Sequence, residues 1–371
     1  MKFRQFAQCV MLATLSTTIG ARSSDLSYER VVYLEASAET SANASLGDLD
    51  ADGDLDIVLA KGRHSPLVDP VLLNDGTGNF SERHAVGSDA DRTYTAALAD
   101  LDGDGDLDLV VGNDRPDDKR IYTNDGTGHF SLTGTFGESD WPTRNVTVVD
   151  LNADDRPDIV VANRGGPNYV CMNDGRGRFP PCRILSAESA TTIGAADLTG
   201  DGRPDLVVPH RDGGQSFVFV NNGDGMFPER MAIGPAVSST RAVATGDFNG
   251  DGRVDVVMGD EATGGAKLYL NRAGSSFEAP IDLGLPNDRV YSMAVADLDD
   301  DGHADLVLGN VRAPGAVLVN DGTGRTFERV SFGDDQGAVY GLAIGDIDGD
   351  EHLDIVAARS GAPNVVYLGC C

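Results

Sequence analysis

A nine-residue acidic pattern recurs seven times in this chain, beginning at Asp48, Asp100, Asp150, Asp197, Asp247, Asp297 and Asp346. The intervals are 52, 50, 47, 50, 50 and 49 residues, so the chain is an array of units of nearly constant length. Each unit has an apolar run, then D-x-D-x-D-G-x-x-D or a relative of it, then a β-branched run such as Ile57-Val58-Leu59 or Leu109-Val110-Val111. A polar loop follows, then a third apolar segment such as Val71-Leu72-Leu73 and a turn of the type Asn74-Asp75-Gly76-Thr77-Gly78, closed by Phe80. Short apolar runs between glycine- and aspartate-rich turns read as strands. Four such strands per unit make a propeller blade.

The chain ends test that reading. The last unit supplies Ile355 to Ala358 and Val365 to Leu368 and then stops one strand short. The missing strand stands at the other end, where Tyr28-Glu29-Arg30-Val31 matches Phe327-Glu328-Arg329-Val330, the outer strand of the sixth unit. The expected fold is all-β, a seven-bladed β-propeller of four-stranded blades, closed by the N-terminal strand completing the last blade. Closure removes the open ends that a linear array would have to cap. Inner strands such as Ala96-Ala97-Leu98, Ala242-Val243-Ala244 and Met293-Ala294-Val295 are rich in small residues, as crowding around an axis demands. The recurring Phe80, Phe130, Phe179, Phe227, Phe277 and Phe327 are expected to pack within or between blades.

Lys2 and Arg4 precede a moderately apolar run ending near Ala21, so residues 1–21 read as a secretory signal peptide and 22–371 as a single propeller domain. No later stretch reaches the roughly 20 apolar residues of a membrane span. The expected location is secreted or extracytoplasmic, with periplasm and cell surface both open. Of the cysteines left after cleavage, Cys171 and Cys182 face each other across one hairpin and suit a disulfide; Cys370 and Cys371 are adjacent and would form a vicinal disulfide or bond elsewhere. Asn43 and Asn145 head glycosylation sequons, usable only in a host that glycosylates.

In the first acidic loop Asp48, Asp50, Asp52 and Asp56 occupy positions 1, 3, 5 and 9, Gly53 permits the turn at position 6, and Asp54 offers its backbone carbonyl at position 7. A set of hard oxygens at that spacing suits calcium better than magnesium, which demands stricter octahedral coordination. Asp100, Asp102, Asp104 and Asp108 with the carbonyl of Asp106 form an equal set, as do Asp297, Asp299, Asp301 and Asp305 with His303, and Asp346, Asp348, Asp350 and Asp354 with His352. Weaker sets are Asp150, Asn152, Asp154 and Asp158 with Arg156; Asp197, Thr199, Asp201 and Asp205 with Arg203; and Asp247, Asn249, Asp251 and Asp255 with Arg253. Asp155 and Glu351 stand where glycine is expected. The cofactor expectation is calcium, up to seven ions, one per blade, with occupancy reduced where a carboxylate is replaced. The sequence carries 59 acidic against 29 basic side chains, a net charge of -30. The loops account for about half of that acid, and the charge argues against nucleic acid or an anionic membrane as partner.

These repeats resemble the FG-GAP/VCBS family, the calcium-bearing blades of the integrin alpha-subunit head that are also found in bacterial secreted proteins and some polysaccharide lyases. The resemblance covers about residues 28 to 368. It implies the propeller and its calcium loops. The chain lacks the leg and membrane-spanning regions of an integrin alpha subunit, so receptor function does not carry over.

In a propeller the acidic loops and the N-D-G turns share one face. His129, His303 and His352 neighbour turns there and read as surface residues. The opposite face gathers Arg63, His64, Arg115, Arg164, His210, Arg211, Arg312 and Arg359 from one loop set, and Arg92, Trp141, Arg144, Arg241, Arg289, Tyr291 and Tyr340 from the other. Arg63, Arg115, Arg164, Arg211, Arg312, Arg359, Arg144 and Trp141 are the candidate ligand residues of a cationic mouth that would take an anionic polysaccharide or an extracellular protein. The competing reading pairs each arginine with a nearby acid, such as Arg92 with Asp89 or Asp91 and Arg144 with Asp140. A lyase or hydrolase for an acidic polysaccharide is the alternative function, with His64, His210, Tyr291 and Tyr340 as candidate acids or bases and Trp141 as the sugar-stacking surface. No G-x-S-x-G elbow, H-E-x-x-H zinc helix or phosphate loop is present.

Overall fold

The computed structural model describes residues 26–272, 276–284 and 288–370. The expected signal segment 1–21 and Cys371 lie outside the described residues. The chain forms repeating four-stranded antiparallel units, each a meander in chain order. The second unit shows the pattern: Thr93–Ala99, Asp108–Asn113, Lys119–Asn124 and Phe130–Phe136 pair in sequence. Second strands such as Asp56–Lys61, Asp108–Asn113 and Asp158–Asn163 are buried along their whole length, which explains their unbroken apolar runs.

The last unit is built from both chain ends. Ala338–Gly345, Asp354–Ala362 and Val365–Cys370 pair in order, and Ser27–Tyr33 adds antiparallel to Val365–Cys370, with Val31 opposite Tyr367 and Tyr33 opposite Val365. The first strands of neighbouring units contact one another in succession, and Ala338–Gly345 of the last unit contacts Glu39–Gly47 of the first. Short pairing of Glu39 with Ala362 and Thr40 with Ser360 joins those two units further. The arrangement is propeller-like, and among the described residues no sheet closes on itself as a barrel.

The core lies between units rather than within one. Phe80 of the first unit packs with Ile347, Val356 and Leu368 of the last, and Leu151 and Val160 of the third pack with Leu206 and Phe219 of the fourth. All six recurrent phenylalanines join such clusters, Phe80 and Phe130 buried and the other four half-buried. The disulfide between Cys171 and Cys182 forms as expected, while Cys370 has no disulfide partner among the described residues. The fifth unit departs from the pattern: its outer strand is only Ile281–Asp282, preceded by a small hairpin of Asn271–Arg272 and Ser276–Phe277.

Candidate functional site

The acidic loops join the first two strands of each unit, and hydrogen bonds hold them in shape. The carboxylate at position 1 accepts the amides of positions 5 and 6, as Asp48 does from Asp52 and Gly53 and Asp297 does from Asp301 and Gly302. The carboxylate at position 5 accepts the amide of position 7, as Asp52 does from Asp54. Asp155 and Glu351, standing where glycine was expected, take φ of 62° and 69°, so the turn forms there without glycine. Position 9 is different in kind. Asp56 is fully buried; one oxygen accepts the amide of Leu49 and the other that of Asn74, both at 2.8 Å. The same double bond to backbone recurs at Asp108, Asp158, Asp205, Asp255, Asp305 and Asp354. Burial pushes Asp56, Asp108, Asp158, Asp255 and Asp354 up to about 6 and Asp305 to about 7 despite those amide donors.

Four loops bring three carboxylates together: Asp48, Asp50 and Asp56; Asp100, Asp102 and Asp108; Asp297, Asp299 and Asp305; and Asp346, Asp348 and Asp354. One oxygen of each residue lies within 4.8 Å of the others, the spacing of oxygens that share an ion at about 2.4 Å. Asp50 Oδ1, Asp299 Oδ1 and Asp348 Oδ1 are buried with no hydrogen-bond partner, and burial and neighbouring carboxylates raise the pKa of Asp50, Asp102, Asp299 and Asp348. An all-oxygen set with unsatisfied buried lone pairs and mutual repulsion fits a hard divalent cation. Of the up to seven sites expected, four such clusters form among the described residues. Asn152, Thr199 and Asn249 remove the position-3 carboxylate from the third, fourth and fifth loops, leaving two acids there to approach a common point.

The sequence reading missed a residue that ties each loop to the next unit. Asn124 Nδ2 donates to Leu49 O at 2.8 Å, across the boundary between the second and first units. Asn74, Asn173, Asn221, Asn271 and Asn320 make the same bond to Ile347, Leu101, Leu151, Leu198 and Phe248, at 2.8–2.9 Å. The last unit has Gly369 at this register, and Tyr28 of the N-terminal strand packs beside it. The signal was present as the first residue of the N-D-G turns, where it read as turn chemistry alone.

At the other end of the first strands, residues 42–43, 94–95, 144–145, 191–192, 241–243, 291–293 and 340–342 line one cavity of about 160 Å³. All seven units contribute, so the cavity sits where the units converge, opposite the acidic loops. Arginines and tyrosines interleave around it. Arg241, its side chain 13% exposed, lies 3.6 Å over the Tyr291 ring and 5.0 Å over Tyr340; Arg63 lies 3.6 Å over the same Tyr340; Arg144 lies 4.4 Å over Tyr94. Glu261 accepts Arg211 at 2.5 Å and the Tyr291 hydroxyl at 2.7 Å, with Arg289 at 3.3 Å and Arg241 at 3.7 Å. Although burial opposes it, the Tyr291 hydroxyl and these cations hold the Glu261 carboxyl below the usual range. Asp212 takes Arg164 and Arg211, both at 3.1 Å, and the Ser189 hydroxyl; against burial, these hold it at about 2. Asp114 takes Arg144 at 2.6 Å. Arg144, Arg164, Arg211, Arg241 and Arg289 thus share three carboxylates; Arg63 pairs with none of these and donates instead to Ser360 Oγ at 3.3 Å, and Arg63 Nε and Arg211 Nε are buried without an acceptor.

The structure therefore assembles part of the expected mouth and disperses the rest. Arg63, Arg144, Arg164, Arg211, Tyr291 and Tyr340 belong to one connected network, with His64 at its edge, 6.3 Å from the Tyr94 ring. Burial, then Arg63 and Arg144, lowers the His64 pKa, which favours the neutral imidazole. Arg359 is a correction: it is 2% exposed and spends its guanidinium on Asp334, Pro363 O and the Tyr367 hydroxyl. Trp141 is another, stacked at 3.8 Å on Tyr169 beside Phe179 and Cys182 and away from the cavity. Arg115 and Arg312 do not line the cavity; Arg312 sits in a left-handed turn, its amide bonded to Gly337 O. His210 packs over Gly214. The expected ion pairs also change partners, since Arg92 pairs with Asp117 and Arg144 with Asp114, while Asp89 and Asp91 take Arg120.

No curated protein matches the chain by sequence. Among solved structures it is similar to a lectin of Agrocybe aegerita that recognises non-reducing terminal N-acetylglucosamine, at 20% identity and a TM-score of 0.60, over 88% of this chain and 87% of that one. It is also similar to BBS1N, solved in complex with ARL6DN, at 14% identity and a TM-score of 0.58, over 91% of this chain and 97% of that one. At these identities the likeness is one of fold. The FG-GAP-like repeat matches six overlapping segments, 48–111, 100–161, 150–208, 197–258, 247–308 and 297–357, each running from one acidic loop through the next. With most of its length accounted for by these repeats, the chain belongs to the FG-GAP-like repeat family.

Proposed function

We propose that this chain is a secreted, calcium-binding seven-bladed β-propeller that acts as a binding or adhesion scaffold, its ligand entering the arginine-lined axial mouth. The observation that carries the reading is the charge imbalance there: five guanidiniums share three carboxylates, and Arg63 pairs with none of them, around a cavity that all seven units line, in a chain of net charge -30. At that mouth the surplus positive charge attracts an acidic glycan or the carboxylates of an extracellular protein partner. Calcium at the opposite face would be held by the four carboxylate clusters, and it supplies rigidity rather than chemistry. The similar lectin and the similar BBS1N complex are in keeping with a binding role.

The test is a titration of the calcium-loaded protein with acidic and neutral oligosaccharides of equal length, and with acidic peptides. Binding restricted to acidic ligands, weakened at least about tenfold by Arg63→Ala with Arg241→Ala, supports the reading; a lost charge-assisted contact of about 1.4 kcal/mol or more gives that factor. Equal binding of neutral ligands, or unchanged binding by the variant, refutes it. The lyase alternative keeps one feature in its favour, the His64 imidazole, whose pKa is lowered by burial and then by Arg63 and Arg144. Tyr291 is committed to Glu261, and neither His64 nor His210 lines the cavity. Product accumulation from an acidic polysaccharide, abolished by His64→Ala, would favour that alternative.

A further inference from the structure

The seven acidic loops divide into two sorts, and the division runs through every position that bears charge. In the first, second, sixth and seventh loops position 3 is a carboxylate, Asp50, Asp102, Asp299 or Asp348. Each of these loops has five acidic side chains and no lysine or arginine. In the third, fourth and fifth loops position 3 is neutral and position 7 is Arg156, Arg203 or Arg253. These loops have four, three and three acidic side chains.

The geometry explains the correlation. Arg156 approaches the position-5 carboxylate of its own loop, Asp154, at 3.8 Å; Arg203 approaches Asp201 at 2.5 Å; and Arg253 pairs with Asp251. In two of the loops the position-3 amide joins in, Asn152 Nδ2 donating to Asp154 at 3.1 Å and Asn249 Nδ2 to Asp251 at 3.0 Å. Donors therefore occupy an oxygen of the position-5 carboxylate, one of the ligand positions of the D-x-D-x-D spacing, in loops whose position 3 already lacks its acid. In three of the other four loops a position-3 carboxylate oxygen is left over, Asp50 Oδ1, Asp299 Oδ1 and Asp348 Oδ1 being buried with nothing to accept, whereas in the arginine-type loops the one such side-chain oxygen at position 3 is the neutral Thr199 Oγ1.

We propose that a tethered guanidinium stands in place of calcium in the third, fourth and fifth loops, so that the ring is held by metal along one contiguous arc and by arginine along the other. The metal arc is made of units six, seven, one and two, and it contains the seam where Ser27–Tyr33 pairs with Val365–Cys370. Arg30 of the seam strand also reaches Asp348 of the seventh loop, at 3.2 Å. Calcium then controls closure of the ring, whereas the arginine arc is formed in its absence. This rests on the calcium reading above.

The test is hydrogen exchange of the full chain at low temperature, with calcium and with EGTA, together with ion counting by native mass spectrometry. The expected result is four ions, and on chelation faster exchange in loops 48–56, 100–108, 297–305 and 346–354 and in the two seam strands, with loops 150–158, 197–205 and 247–255 unchanged. Asn152→Asp with Arg156→Asp should bind a fifth ion. Asp50→Asn with Asp54→Arg should bind three, which keeps the test open if the first variant does not fold. Five or more ions in the unaltered chain, or equal acceleration in both sets of loops, overturns the division. No bound ion at all overturns the calcium reading itself.

Discussion

Asn221→Ala is expected to destabilise the protein by about 2–4 kcal/mol while leaving its calcium content unchanged. Asn221 is fully buried. Its Nδ2 donates to Leu151 O of the preceding unit at 2.8 Å and to Pro204 O at 3.0 Å, and its Oδ1 accepts the amide of Gly223 at 2.9 Å. Truncation removes three bonds, each worth about 1 kcal/mol net, and leaves polar groups in a site too enclosed for free rehydration, which adds to the cost. The backbone amide of residue 221 keeps its bond to Asp205, so the loop itself survives the change. Urea unfolding in saturating calcium, followed by far-ultraviolet circular dichroism, measures the loss. Asn222→Ala is the control, since Asn222 is exposed and its side chain caps only the amide of Asp224. A loss at Asn221 no larger than at Asn222 would refute the idea that side-chain bonds from unit to unit hold the ring together.

Two further outcomes follow from buried groups away from the mouth. Burial raises Asp69 to about 7, against bonds from the Lys61 amide and the Thr93 hydroxyl. Its unfolded value is near 3.9, so the stability it contributes is fully present below about pH 4 and is lost as pH rises through 7. Asp69→Asn, whose amide can donate to Thr93 Oγ1 while that hydroxyl donates to Asn113, should match the parent near pH 4 and exceed it by about 2 kcal/mol at pH 7.5, within the roughly 4 kcal/mol that three pKa units allow. Denaturant midpoints across that range check this, and a pH-independent difference would defeat it. Replacing Cys171 and Cys182 by serine opens a loop with sequence separation 11 and should cost about 3 kcal/mol, read from the same unfolding curves; a loss under about 0.5 kcal/mol would show that the hairpin is fixed without the bond.

The architecture was legible because its signals are periodic. Seven copies of one loop fix the unit, and the likeness of Tyr28–Val31 to Phe327–Val330 foretold the strand that completes the last unit. The loop geometry was legible for the same reason, down to the replacements at Asn152, Thr199 and Asn249. Side-chain partnerships were harder, because they depend on which loops meet across unit boundaries. Arg359 and Arg63 occupy similar positions along the repeat, yet one is buried against Asp334 and the other faces Tyr340 at the mouth. Trp141 looked like a free sugar platform, but Tyr169 and Gly137 stand close enough to cover it. The Asn221 type of bond was invisible because its acceptor is a backbone carbonyl roughly 70 residues away. In the fifth unit the segment after Asn271 lacks the usual N-D-G turn, and the outer strand shrinks accordingly.

The most direct test of a calcium-held ring is the thermal midpoint with and without chelator. At 1 mM calcium and a dissociation constant of about 10 μM, each site stabilises by about 2.7 kcal/mol, so four sites give about 11 kcal/mol. For a folded chain of this length that corresponds to a fall of about 15 °C when EGTA is added, reversed on adding calcium back. A midpoint that does not move would contradict the account, because the clustered carboxylates would then need no cation to hold them together.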